Sequence, residues 1–474
     1  MATVETLIGS AVAYIFWALF GGQPMILMGL TGPIAIFVGV VFDWAERLKL
    51  PFFVFYEWTG IWTALFLFLL VAFNRVDIFS PITSFTKNIF SSLTSVLFIV
   101  EVFKYVKKTA GGADGDMFSL VIILVTVFVM DILKNIKNTT FLVQWIRIGI
   151  RLGSQLLTVL VVMFIIHSEF PAISYTPINL PSNAFQPSYA NRTWFVRPFH
   201  YQSSLAVNDW FATNETVATC PYSDTPLSAG TCVFPVWAIF LSIVPAVFFT
   251  ILILLEDTIT SGLIEKPANN LKKGGPFDYL DTLVTAVLTL LLSLFGLPWV
   301  SAMYIRSAQQ LQGLSVIQDV YKPYGAFEER FIHVNETRVP GILMGMLFIG
   351  VLLFSEALET MSEALAYGLL LFMGFDMFIN EGLFRGAKLI FIDRSLFNEG
   401  DQAVLSLRKI NVYTIIQVVL LCALLAIKGS VTTAVLFPLG LLALLYVRVY
   451  VLPLLFTKTE LRLLDPIVYH DHSE

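Results

Sequence analysis

The sequence predicts an all-α polytopic membrane protein, and three observations lead there. Only 13% of the 474 residues are charged, about half of the roughly 25% that a water-soluble domain carries. Hydrophobic residues make up 57% of the chain, 42 of them Phe, and the mean hydropathy is +0.78; one core cannot absorb that much apolar surface, whereas lipid can. The apolar runs also exceed the length of barrel strands and lack their alternation, so they are helices.

The same composition excludes other classes. A net charge of −5 without a basic tract gives nucleic acid nothing to bind. Three cysteines cannot build a disulfide scaffold or a cysteine-rich metal centre. His167, His200, His333, His470 and His472 fall in loops or at chain ends without ligand spacing. No Walker loop, hydrolase elbow or zincin pattern occurs, so neither an enzyme nor a cofactor is expected.

Windows of about 20 residues place spans near 4–28, 52–73, 80–103, 117–136, 150–167, 235–263, 279–297, 339–355, 361–379, 410–427 and 431–453. Two shorter apolar segments are broken by Gly or Pro. One is 31–42, opening Thr31-Gly32-Pro33; the other is 299–313, following Gly296-Leu297-Pro298. Counting each as a crossing gives 13. The Phe, Leu and Trp stripes face lipid or neighbouring helices, and Cys422 is a small apolar filler inside a span.

The long polar stretch 168–234, rich in Pro, Ser, Thr and Asn, carries sequons at Asn191 and Asn214 and suits a glycosylated outer loop. Cys220 and Cys232 lie twelve apart in it, which suits a local disulfide in an oxidising exterior; two free thiols are the alternative. With this loop outside, 19 of the 29 Lys and Arg fall inside, eight outside and two, Lys87 and Arg306, within spans. That bias follows the positive-inside rule and puts the C-terminus in the cytosol. The same alternation places Met1 outside, and the first apolar run is long enough to span rather than serve as a cleaved signal.

Short broken helices in corresponding places of two halves point to a carrier's binding site, because a half-helix aims unpaired N–H groups and the positive end of its dipole into the cavity. Such a site suits an anion. Within the second broken segment stands Ser301-Ala302-Met303-Tyr304-Ile305-Arg306-Ser307, and Arg306 is the only basic residue between Lys273 and Lys322. An arginine in hydrocarbon costs several kcal/mol or more, so it is paired, wet or functional, unless it snorkels to the cytosolic surface. Glu256 is its natural partner: Trp237 to Leu255 carries no charge before Glu256-Asp257 arrives. A carboxylate here balances the arginine or carries a proton or cation; the alternative puts both acids at the inner interface. In the first half, Pro33 suits a first helical turn.

These residues resemble the bicarbonate-transporter family, and most its band 3-type anion exchangers, from about residue 5 to 466. The matching pieces are Phe20-Gly21-Gly22-Gln23-Pro24 with Thr31-Gly32-Pro33, Trp58-Thr59-Gly60-Ile61-Trp62, Leu255-Glu256-Asp257-Thr258-Ile259-Thr260, Gly296-Leu297-Pro298-Trp299 through Arg306-Ser307, Phe372-Met373-Gly374 and Leu452-Pro453-Leu454-Leu455-Phe456. The resemblance implies a seven-plus-seven inverted-repeat transporter with core and gate domains, a homodimer in the plasma membrane. Residues 1–167 hold the first repeat from the family's second span, 168–234 the outer loop, 235–456 the second repeat and 457–474 a cytosolic tail. The family's first membrane helix and its cytosolic N-terminal domain have no counterpart in this reading.

The resemblance further implies that bicarbonate and chloride bind between the facing half-helices, among Thr31, Gly32, Pro33 and Ser301 to Ser307. Arg306 matches the exchangers' arginine and Glu256 their glutamate, which favours sodium-independent exchange. Lys428 matches a lysine that stilbene disulfonates attack, and Lys104 and Lys107 lie near the other such site. Met303-Tyr304 stands where the exchangers have a Thr pair and Gln310 where they have His, departures that bear on anion preference. Sodium-coupled bicarbonate or carbonate transport, borate export and a non-transporting membrane scaffold are the alternatives.

Overall fold

The computed structural model describes residues 3–76, 83–109, 115–136, 143–169, 187, 193–202, 231–266, 269–272, 278–321, 327–353, 361–391, 407–429 and 437–465. In chain order the first half gives α1 (Thr3–Phe20), β1 (Met28–Gly29), α2 (Gly32–Arg47), α3 (Phe52–Ala72), α4 (Ser84–Thr109), α5 (Gly115–Asn135), α6 (Gln144–Leu152) and α7 (Ser154–Glu169). Two short strands follow, β2 (His200–Gln202) and β3 (Thr231–Val233), paired with each other. The second half gives α8 (Val236–Leu241), α9 (Ile243–Ile264), α10 (Asp278–Leu294), β4 (Ser301–Ala302) and α11 (Tyr304–Leu314). A hairpin of β5 (Ser315–Tyr321) and β6 (Phe327–Val334) leads to α12 (Val339–Leu353), α13 (Glu363–Asn380), α14 (Gly382–Ile390) and α15 (Leu407–Gly429). The chain closes with α16 (Phe437–Tyr446), a π-helical turn (Val447–Val451), α17 (Leu452–Leu455) and α18 (Lys458–Leu464).

Among the described residues seven helices are long and apolar enough to cross a membrane, eight if α6 and α7 count as one bent span. The chain is thus a multi-pass integral membrane protein. At 1.5 Å per residue, the 16 residues of α2 and the 11 of α11 reach only about 24 and 16 Å, short of a hydrocarbon core about 30 Å thick. Both are partial helices, as the Gly/Pro breaks predict.

α2 begins at Gly32, where the Thr31-Gly32-Pro33 break places it, while two other boundaries differ from expectation. The run 4–28 is helical only to Phe20, after which Gly21 N–H closes on Trp17 O at 2.8 Å and Pro24 removes a backbone donor. The run 299–313 turns helical only at Tyr304. Residues ahead of each helix are extended instead, and β1 pairs antiparallel with β4, Met28 opposite Ala302 and Gly29 opposite Ser301. Elsewhere α2 continues to Arg47, the expected span 235–263 is matched by one apolar span, Val236–Ile264, with a turn at Ser242 between α8 and α9, and 150–167 belongs to a helix pair that bends by 70° at Gly153. Residues 431–436 lie outside the described residues.

Helix ends are set by local chemistry. Gly296, at φ 56°, ends α10: its N–H bonds Ser293 O at 3.0 Å while Leu297 N–H bonds Leu292 O at 2.8 Å, the crossed pair of a glycine-terminated helix. Thr31 caps α2, with Pro33 in its first turn.

Packing divides the helices into two sets. α1, α2, α3, α9, α10, α11 and α12 pack mainly on one another, as do α4, α5, α7, α13, α14, α15 and α16; α2 against α4 and α9 against α16 join them. Gly341 and Gly345, four apart on α12, let α1 approach so closely that a Cβ at Gly345 would stand 2.5 Å from Ile15, the small-residue packing usual between membrane helices. The tail is fastened too: Asp465 accepts Phe85 N–H at 2.7 Å and pairs with Arg448. Cys422 is exposed on α15 rather than buried as a filler.

Candidate anion site

The site forms where the two partial helices begin. Met303 N–H bonds Leu27 O at 2.8 Å and Leu27 N–H bonds Ser307 Oγ at 2.9 Å, so β1 and β4 hold both helix starts together. An aromatic wall fixes β4 from behind. Trp299, fully buried, stacks on Tyr56 with ring centroids 3.7 Å apart and meets Phe249 at 4.3 Å. The Tyr56 hydroxyl donates to Leu297 O at 2.8 Å and accepts Trp299 N–H at 3.0 Å, and Trp299 Nε1–H donates to Ser293 Oγ at 2.8 Å. These bonds satisfy the polar backbone that a non-helical segment exposes inside a membrane.

Glu256 and Asp257 sit on α9 against this wall. Thr31 Oγ1 donates to both Glu256 oxygens at 3.0 and 2.8 Å, and Ser301 donates to Glu256 Oε2. One hydroxyl from each half of the chain therefore grips one carboxylate. Asp257 Oδ1 accepts Ala302 N–H at 2.9 Å and its Oδ2 accepts the Thr285 hydroxyl at 3.3 Å. Thr260 donates to Glu256 O at 2.8 Å and reaches Ala302 O at 3.3 Å.

The two helix starts differ in one respect. The side chain of Thr31 accepts the Ile34 N–H at 3.5 Å, a long contact, whereas Met303 gives α11 no side-chain cap. Among the described residues, the first-turn N–H groups of α11 thus begin the helix without a side-chain cap, which is the arrangement that attracts negative charge. Ser301, Ala302 and Ser307 are buried, while Met303, Tyr304, Ile305 and Arg306 are partly exposed. The Met303 side chain lies over Gly29, where a Cβ would come within 2.8 Å of its sulfur. Gly32 meets Phe98 and Thr94 of α4. Tyr304 faces α4 as well, with the Lys87 ammonium 5.3 Å from its ring centroid.

Arg306 corrects an expectation. Its Nη1 donates to Gln155 Oε1 on α7 at 2.8 Å, and no ion pair between Arg306 and Glu256 occurs among the described residues. The two charges reach different elements: Glu256 is already held by Thr31 and Ser301, and the arginine crosses to the other helix set. At the other end of α4, Glu101 collects Lys104 at 2.8 Å and Lys428 at 3.9 Å, one turn beyond Phe98; Lys107 stands exposed on α4. Asn191, Asn214 and Cys220 lie outside the described residues, and Cys232 is placed only as a backbone position of β3.

Gln155, Thr285, Thr260, Tyr56 and Trp299 were not singled out from the sequence as site residues. A signal existed for Thr285: Thr282, Thr285, Thr289 and Ser293 form a polar stripe at helical spacing on an otherwise apolar α10. Nothing local marks Gln155, whose partner lies 151 residues away.

Comparison with known proteins identifies the family and the fold. The family profile described as the HCO3⁻ transporter integral membrane domain matches residues 1–113 and 107–468. The band 3 anion transport proteins of Mus musculus and Homo sapiens are each 27% identical over 488 residues, covering 98% of this chain and 49% and 50% of their own lengths. The sodium-driven chloride bicarbonate exchanger of Homo sapiens is 25% identical over 543 residues, with 99% of this chain and 45% of the relative covered. The chain thus spans about half the length of the curated relatives it matches. In fold it is similar to the transmembrane domain of a cyanobacterium bicarbonate transporter, BicA, with a TM-score of 0.54 at 11% identity over 90% of this chain and 88% of that one. SLC26A9 gives a TM-score of 0.51 at 12% identity over 94% of this chain and 61% of that one.

Proposed function

The chain belongs to the bicarbonate-transporter family, and from its site we propose that it exchanges bicarbonate against chloride by alternating access, without sodium. The observation that carries this reading is the meeting of two helix N-termini at one backbone-paired junction, with the α11 start uncapped and Arg306 on its first turn. The anion binds the first-turn N–H groups of α11 near Thr31, Gly32 and Pro33. Arg306 exchanges Gln155 for the anion, and Glu256 tunes the charge of the site. The set holding the site shifts against the other set to open each side in turn. The relatives' names support small anions as cargo.

The partial helices complete thirteen crossings arranged as two inverted repeats. We place 168–234 outside, the C-terminal tail in the cytosol and a homodimer in the plasma membrane. Lys428 and Lys104, gathered by Glu101, form an outer basic patch.

Sodium-free proteoliposomes test the reading directly: chloride-dependent bicarbonate flux is expected, and it falls sharply in Arg306→Ala. Flux unchanged by that substitution would sink the role given to Arg306. A second reading, sodium-coupled uptake, draws on the convergence of Glu256, Asp257 and the hydroxyls of Thr31, Ser301 and Thr285, a hard oxygen set suited to a small cation. Sodium dependence with net current separates the two.

A further inference from the structure

A second buried acid lies on α3, apart from the anion site. Glu57 is 0% exposed, and neither carboxyl oxygen has a hydrogen-bond partner among the described residues. The polar groups beside it are committed elsewhere. Tyr56 serves Leu297 and Trp299, Trp58 donates to Pro198 O at 2.7 Å, and Thr59 donates to Phe55 O at 2.8 Å.

The helices packed on α3 are α2, α8, α9 and α10. Of the ionisable groups they carry, Glu256 and Asp257 are bonded at the anion site, Asp281 accepts Gly22 N–H at 2.6 Å, and the Asp278 side chain lies outside the described residues. Asp43, Glu46 and Arg47 on α2 and Tyr279 on α10 make no hydrogen bond to Glu57. An ionised carboxyl removed from water with no counter-charge neutralises itself.

We propose that Glu57 is a proton-binding site inside the membrane, separate from the anion site and occupied while α3 stays packed on α10 and the 297–299 segment. Gly60, one turn on, already lies against Ser293 and Trp299, where a Cβ would clash at 1.8 and 2.8 Å. Glu57 therefore shares its seat with the wall that fixes β4. Water reaches the carboxyl only if that wall loosens, and ionisation then holds it loosened. The bound proton keeps the junction closed from behind.

Difference infrared spectroscopy of the protein in lipid tests this. Wild type is expected to show a protonated-carboxyl C=O band that Glu57→Gln lacks and Glu57→Asp keeps at a shifted position. If Glu57→Gln fails to reach the membrane, Glu57→Asp decides: a shifted band supports the site, and an unmoved spectrum overturns it. Identical spectra for wild type and Glu57→Gln also overturn it, as does a band abolished by sodium at constant pH, which would mark a cation site. In flux measurements Glu57→Gln is expected to lose one step of the pH profile, and an unaltered profile overturns the link to β4. The spectroscopic arm requires no transport, so failure of the exchange reading leaves it intact.

Discussion

Arg306 and Gln155 are joined by a 2.8 Å hydrogen bond that crosses from one helix set to the other. The guanidinium nearest the uncapped start of α11 is thus tethered to a neutral acceptor, which an incoming anion can displace because a charged partner bonds arginine more strongly than an amide does. Gln155→Glu replaces that weak competitor with a strong one. The expected outcome is a rise of about tenfold in the KM for anion, equivalent to about 1.4 kcal/mol, with Gln155→Leu shifting KM the opposite way. Flux measured against anion concentration checks both.

Gly60 faces Ser293 Oγ so closely that an added Cβ would stand 1.8 Å from it. Gly60→Ala must push Ser293 aside and break its bond from Trp299. Overpacking of this kind costs about 1–3 kcal/mol. A lowered Tm in detergent is expected, and an unchanged Tm would show that α3 and α10 have slack.

Tyr56→Phe keeps the stack on Trp299 and removes only the hydroxyl that serves Leu297 O and Trp299 N–H. Leaving those buried backbone groups unpaired costs about 1–3 kcal/mol. Flux should fall with Tm, because the segment that carries β4 loses its anchor. Normal flux with a lowered Tm would show that the anchor serves stability alone.

The tail offers a pH test outside the membrane. The Lys409 ammonium donating to Glu460, aided by Thr457 N–H at 3.0 Å, holds the Glu460 carboxyl below its ordinary value. A depressed acid stabilises the folded state above its unfolded pKa, and that contribution disappears as pH falls through the folded one. Hydrogen exchange across 458–464, corrected for intrinsic rates, should therefore accelerate on acidification below the usual glutamate range. Lys409→Ala should weaken this dependence.

The partial helices were legible because Pro33 and Pro298 punctuate the sequence whatever surrounds them. Where α11 begins was not. Trp299, Val300, Ala302 and Met303 are as apolar as any helical run, yet they are extended: Tyr56 accepts the Trp299 N–H, Asp257 the Ala302 N–H and Leu27 the Met303 N–H, all from other elements. Arg306 and Glu256 stood out through scarcity of charge, yet their pairing did not follow. Two opposite charges in neighbouring apolar segments do suggest a bond; hydroxyls at Thr31 and Ser301, one from each half of the chain, instead supplied Glu256.

The pairing of β1 with β4 has a consequence for how such a site changes over time. Backbone bonds do not depend on which side chains flank them, so Ala302 and Met303 can be exchanged for other small or polar residues without undoing the junction that presents the α11 N–H groups. The cradle is inherited through the chain's main chain, and the cargo it prefers is rewritten by side chains alone. Substituting Thr at Met303 is then a change of taste rather than of architecture.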